Sequence, residues 1–225
     1  MYKKLGILGG MGAAATYTLY KNIIENTPVS CDQEHINMVI LNASYIPDRT
    51  AGILGRGESP LVYLLNALKE LEACGCDIIV MPCNTSHYYY DEMQANCNAK
   101  ILNMPELAAE ILADNGVKQA YLMATEGTIK TGVYKRYFDK KNIELIAPSG
   151  EEIAEMMRVI YNIKRGATPE LGGLEKIAGK RGVPVVLGCT EFSAVRFDNI
   201  EYIDAMRVLL DKILELCGMS MENKE

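Results

Sequence analysis

Asp77-Ile78-Ile79-Val80-Met81-Pro82-Cys83-Asn84-Thr85-Ser86-His87 is the stretch whose reading decides the fold. Its apolar run, Ile78 to Met81, is short and bounded by Gly75 and Pro82, which fits a strand buried on both faces better than a helix. Cys83 stands where the strand ends. The polar residues Asn84 to His87 follow at once and can supply the cap and first turn of a helix, a position that lowers a cysteine pKa. Val183-Pro184-Val185-Val186-Leu187-Gly188-Cys189-Thr190-Glu191 repeats the arrangement about half a chain length later. Two similar halves, each presenting one thiol, are expected.

Outward from these stretches, strands and helices alternate. Lys4 to Leu8 reads as a first strand, followed by the turn Gly9-Gly10-Met11-Gly12 and by Thr16, Leu19, Tyr20, Ile23 and Ile24 at helical spacing. The glycines do not complete G-x-G-x-x-G in any register, since Ala15 stands where the last one is needed, so a dinucleotide site is disfavoured and a bend that binds a smaller anion is preferred. Further strands are expected over Ile36 to Leu41, Ala99 to Leu102, Gln119 to Ala124, Ile143 to Ala147 and Glu201 to Ile203. Asn42 to Thr50 reads as a polar loop holding Asp48-Arg49-Thr50. Helices are expected from Pro60 capped by Ser59, over Pro105 to Asp114, from Thr125 to about Lys141, around Ile153 to Ile160, over Pro169 to Ala178 and over Asp204 to Cys217, with residues 218–225 frayed. The fold class is therefore α/β, with two pseudo-symmetric domains, each a mostly parallel sheet flanked by helices, and a cleft between them at the carboxyl ends of the strands. The domain boundary is placed at 98, giving residues 1–98 and 99–203, with the last helix (204–225) packed back on the first domain.

A chain of 225 residues, 49% hydrophobic, is long enough to bury a full core. Its net charge of −6 is mixed along the sequence without a Lys/Arg block, which argues against nucleic acid or an anionic membrane as a partner. No apolar run approaches a membrane span and the N-terminus is too glycine-rich for a signal sequence, so a cytoplasmic location is expected. Seven cysteines fit free thiols rather than a disulfide framework, and Cys74-Gly75-Cys76 lacks the spacing of a zinc or redox pair. His35 and His87 are the only imidazoles, too few to activate two nucleophiles or to build a metal site.

Two thiols have another use. With one as thiolate and one as thiol on opposite faces of a substrate carbon, one removes a proton while the other donates, and the stereocentre inverts. Taken singly, a cysteine at the end of a buried strand is often just a small apolar residue; the matched pair is what favours chemistry. Arg49 reads either as a surface charge or as a bidentate anchor for a carboxylate, Lys164 as a helix-end cation or a ligand contact, and Glu191 as a capping acid or a group that tunes Cys189. His87 reads first as a support for the turn after Cys83, and Tyr88-Tyr89-Tyr90 as packing.

Gly9-Gly10-Met11-Gly12 with Ala15-Thr16, Pro82-Cys83-Asn84-Thr85 with His87, Ala124-Thr125-Glu126-Gly127-Thr128, and Gly188-Cys189-Thr190-Glu191 together resemble the aspartate/glutamate racemase family, in its aspartate racemase branch. The resemblance runs over essentially the whole chain. It implies a cofactor-independent, two-base racemase of two α/β domains, homodimeric, acting on a small acidic amino acid. It further implies Cys83 and Cys189 as the acid/base pair and Asn84, Thr85, Thr125 and Thr190 around the α-carboxylate and amino groups. Arg49 and Lys164 fall at the positions used for the side-chain carboxylate, and Met11, Thr128 and Glu191 complete the expected substrate-binding set. Ala13 replaces the family's usual Pro, and Ser86 its usual Ala. The glutamate branch favours Asp-Ser in the first loop and His after the second Cys-Thr; Gly10-Met11 and Glu191 point instead to aspartate. The alternatives are a related decarboxylase or isomerase using one cysteine, and a non-enzymatic anion-binding module.

Overall fold

A computed structural model describes residues 3–219. Two four-stranded sheets, parallel throughout, are built in succession. The first has the order β2-β1-β3-β4 and the second β6-β5-β7-β8, the same pattern twice. Its strands are β1 (Leu5–Gly9), β2 (Met38–Asn42), β3 (Ile78–Val80) and β4 (Lys100–Ile101); those of the second are β5 (Gln119–Ala124), β6 (Glu144–Ile146), β7 (Val185–Gly188) and β8 (Tyr202–Asp204). Register runs Leu5 to Met38 and Ile78 on one side, and Tyr121 to Ile146 and Val185 on the other. In each sheet the chain leaves the first strand toward one edge and returns on its other side. The crevice at that switch of direction, beyond the carboxyl ends of β1 and β3 and of β5 and β7, is where α/β sheets bind ligands.

The helices are α1 (Ala13–Asn26), α2 (Arg49–Ile53), α3 (Leu61–Ala73), α4 (Tyr90–Ala95), α5 (Met104–Asp114), α6 (Glu126–Lys130), α7 (Lys135–Lys140), α8 (Gly150–Lys164), α9 (Gly172–Gly179) and α10 (Ala205–Leu216). Alternate strand residues face opposite layers, as the period of two requires. Ile78 and Val80 of β3, Leu122 and Ala124 of β5 and Val186 of β7 enter one central cluster with α1, α5 and α10, whereas Ile79 and Met123 face separate outer layers under α3 and α8. The two halves thus share a continuous core. Leu209 and Leu210 on α10 are fully buried in it, and truncating either to Ala should cost about 2–5 kcal/mol.

Several expectations need correction. The strand at Lys100–Ile101 pairs with β3, so the element placed in the second domain by a boundary at 98 belongs to the first sheet. α10 packs on α1 and also, extensively, on α5, with Arg207 donating to Asn26 at 3.2 Å. The helix expected from Thr125 to Lys141 is two short helices, broken at Gly132, whose φ of +65° no continuing helix accommodates. Asp48 is not in open loop but caps α2, accepting from the Ala51 N–H at 2.7 Å. The helix expected from Pro169 begins only at Gly172, and that expected from Pro60 at Leu61. The fraying expected over 218–225 falls from 220 onward outside the described residues; Met219 N–H still bonds Leu214 O at 2.7 Å. Among the described residues, no helix is long and apolar enough to cross a membrane.

Candidate active site

Loops from the ends of four strands converge on one small cavity. Met11 comes from the turn after β1, where Gly10 takes φ +86° against the backbone of Ala43 and Ser44, leaving no room for a Cβ. Cys83, Asn84 and Thr85 follow β3, Thr125 follows β5, and Cys189, Thr190 and Glu191 follow β7. Arg49 and Lys164 close the ring from α2 and the end of α8. Of the expected site residues, all but Thr128 line the cavity. Asp48, Thr50 and Gly188 also line it and were not singled out, although the first two flank Arg49 in the quoted Asp-Arg-Thr element.

Thr128 stands one layer back. Its hydroxyl lies 3.0 Å from Thr125 Oγ1 and 3.0 Å from Thr85 Oγ1, and those two lie 2.9 Å apart, a triangle of hydroxyls that joins the halves. A second tie runs from Thr190 Oγ1 to Pro82 O at 3.0 Å. Both loops that carry cysteines are therefore cross-braced.

Arg49 is buried, which removes the surface-charge reading. Its Nη1 donates to Ile46 O and Pro47 O and its Nη2 to Met11 O, while among the described residues Nε finds no partner. Three of five donors hold the guanidinium in place, and Nε–H with one Nη2–H are left for a carboxylate. Asn84 shows the same economy: Tyr134 donates to its Oδ1 at 2.7 Å, and its buried Nδ2 has no partner among the described residues. An unpaired buried donor is costly, so such atoms on a cavity wall mark where a ligand's oxygens belong.

The electrostatics differ from expectation at the second thiol. Cys189 donates to Glu191 Oε2 at 2.9 Å. Burial pushes this thiol well above the usual cysteine range, the Glu191 charge pushes it further, and Lys164 offsets only part. Burial and Glu191 thus overturn the lowering anticipated at Cys189; the segments that follow the two cysteines are 3-10 turns, Asn84–Tyr89 and Phe192–Ala194, not α-helices. Lys164 Nζ lies 3.7 Å from Glu191 Oε1. Burial alone would lower the lysine pKa, but Glu191 and then the two cysteines outweigh it and leave the ammonium above its ordinary range.

His87 is fully enclosed, and burial lowers its pKa. Its Nδ1 lies 3.0 Å from Cys83 O, and its Nε2 lies 3.2 Å from Leu102 O and 3.3 Å from the Met104 N–H. It fastens the turn below Cys83 to α5. Among the described residues, no group of three or more His, Cys, Asp or Glu is gathered as a metal site would need.

The family model for Asp/Glu/hydantoin racemase matches residues 8–213. The chain belongs to this family. It is 28% identical over 148 residues to the broad specificity amino-acid racemase RacX of Bacillus subtilis (strain 168), a match spanning 63% of each chain. It is 25% identical over 158 residues to the glutamate racemase of Aquifex pyrophilus, covering 65% of this chain and 61% of that one. The chain thus spans a little over three fifths of each of these curated relatives. Among solved structures, the aspartate racemase of Picrophilus torridus superposes with a TM-score of 0.81 at 29% identity, over 96% of this chain and 94% of that one. An aspartate racemase homologue from Pyrococcus horikoshii OT3 gives 0.77 at 27%, over 96% and 99%. In this Asp/Glu/hydantoin racemase family member, both cysteine loops and the cavity between them lie within the matched residues.

Proposed function

We propose that the protein racemises a free acidic amino acid, aspartate first and glutamate second, by two-base proton transfer between Cys83 and Cys189. The observation that carries this reading is that the two thiols, one from each half, open on the same small cavity together with Arg49 and Lys164. Burial and then Glu191 favour the thiol form of Cys189, so in the direction written here Cys189 supplies the proton and Cys83 takes the α-hydrogen, and the antipode reacts by the reverse. The C–H bond breaks, its proton goes to the Cys83 sulfur, and its electron pair spreads into the α-carboxylate. The Cys189 S–H then gives its proton to the opposite face of the carbon. The products are the antipode and the reversed thiol/thiolate pair.

Both transfers use side chains, so the reaction as written calls for no cofactor. Asn84 Nδ2 is a donor for the α-carboxylate, where charge grows in the transition state. The Nε/Nη2 edge of Arg49 and the Lys164 ammonium suit the side-chain carboxylate. The Thr85, Thr125 and Thr190 hydroxyls complete the polar wall, with Met11 as its apolar part. Aspartate is preferred because the two aspartate racemase structures cover nearly the whole chain, in agreement with Gly10-Met11 and Glu191 in the two loops. Assembly as a homodimer in the cytoplasm belongs to the same proposal and is checked by light scattering and fractionation.

The deciding experiment incubates the purified protein with L-aspartate in deuterium oxide and follows α-deuteration together with optical rotation. Rotation should decay to zero with deuterium in the D-antipode. No exchange into L-aspartate or L-glutamate, or exchange without inversion, overturns the proposal, and the latter result leaves a one-cysteine isomerase or decarboxylase.

A further inference from the structure

Tyr134 lies in the break between α6 and α7, contributed by the second half, fully buried in the central core and outside the lining of the active-site cavity. Among the described residues its hydroxyl makes one hydrogen bond, 2.7 Å to Oδ1 of Asn84 in the first half. Its ring lies beside Gly188, where a Cβ would come within 3.2 Å of Tyr134 Cε2, and packs at a tilt against Phe138 with ring centres 5.8 Å apart. The ring therefore sits behind both cysteine loops at once. A side-chain amide can present either end to a ligand, and a phenol that donates decides which. With Oδ1 held by Tyr134, the end left over is Nδ2, which is buried and, among the described residues, without a partner, on a residue that lines the cavity. Burial keeps the phenol protonated far above neutral pH, so the donor persists across the working range.

We infer that Tyr134 is a positioning residue: its hydroxyl locks the Asn84 amide with the NH2 group toward the cavity, readying a hydrogen-bond donor for a substrate carboxylate before the ligand arrives. The lock itself follows from geometry; its effect on turnover rests on the racemase reading above.

The two parts are tested separately. Tyr134→Phe keeps the ring and removes only the hydroxyl. In protein labelled with 15N at asparagine, without ligand, the Asn84 side-chain NH2 should show restricted picosecond-to-nanosecond motion in the parent and freer motion in Y134F. Equal motion in both, or a freely moving amide in the parent, overturns the lock; the parent measurement decides alone if Y134F does not fold. With L-aspartate as substrate, Y134F should raise KM roughly tenfold with a smaller change in kcat, the loss expected for one hydrogen bond to a charged group. Asn84→Ala should do at least as much, and the double variant Y134F/N84A should be no worse than N84A, since the hydroxyl acts only through the amide. Independent, additive losses overturn the inference. If the parent neither binds nor turns over L-aspartate, the substrate reading fails while the relaxation data still decide the lock.

Discussion

The loops after β3 and β7 occupy equivalent places in two sheets of identical strand order, yet their cysteines live in unlike surroundings. Cys83 has no hydrogen bond to its sulfur among the described residues, and its carbonyl is held by the neutral His87. Cys189 gives its thiol hydrogen to a buried carboxylate that also faces Lys164. Repetition of the backbone brings two thiols to one cavity, and the side chains around them assign the proton. A two-base site needs one proton shared between its two sulfurs, and the unlike surroundings bias which of them carries it at rest.

The largest effect should come from removing either thiol. Cys83→Ser and Cys189→Ser should each lower racemisation by roughly 10²- to 10⁴-fold, the range of a positioned acid/base group, measured by polarimetry. A variant that racemises at the parent rate breaks the pairing outright.

Glu191→Gln tests the inequality itself. Taking away the charge should bring the Cys189 pKa down, so that its alkylation by iodoacetamide half-titrates at lower pH than in the parent. Mass spectrometry of the labelled peptides distinguishes the two sites. An unmoved Cys189 profile would show that burial alone sets its proton affinity.

Gly12→Ala probes how closely the halves meet. A Cβ there would stand 2.7 Å from Glu191 Oε1, so either the carboxylate or the turn after β1 must shift. Chemical denaturation should register a loss of about 1–3 kcal/mol, along with a disturbed Cys189 alkylation profile.

The smallest effect concerns a surface tie between the halves. Arg56 binds Glu126 at 2.9 Å and Lys130 joins at 2.6 Å. Arg56 and then Lys130 hold the Glu126 carboxyl down to about 2 from an ordinary 4.5. A depressed carboxyl contributes stability that is complete above the unfolded value and is lost as pH falls through the folded one. The melting temperature of the parent should thus exceed that of Glu126→Gln modestly near neutrality, by at most about 1 kcal/mol in stability, with the gap closing from pH 4.5 toward 2. A gap that persists at pH 2 would locate the effect elsewhere.

What could be read without coordinates follows the range of the forces involved. Gln119 to Ala124 is a strand over those same residues, because an apolar run with a polar start encodes itself locally. Arg49, Cys83, Cys189 and Lys164 were named from motifs, and they line one cavity. The helix after Thr125 was read as too long, since helical spacing continues across Gly132 while its backbone turns left-handed. A cap-like polar run after Cys189 resembles a helix start and so suggests an acidified thiol, but burial and the Glu191 carboxylate push that thiol up instead. Tyr134 gave no signal, its partner being fifty positions away.

By itself, the order of residues determined the alternation of strands and helices, the doubled architecture and the residue types at the strand ends, because those depend on neighbours a few positions apart. Which atom of Asn84 is left unpaired, which donors of Arg49 are spent on carbonyls, and which thiol keeps its proton were decided only when the two halves came together. Desolvation and hydrogen bonding across that junction depend on distances in space, and no local pattern records them.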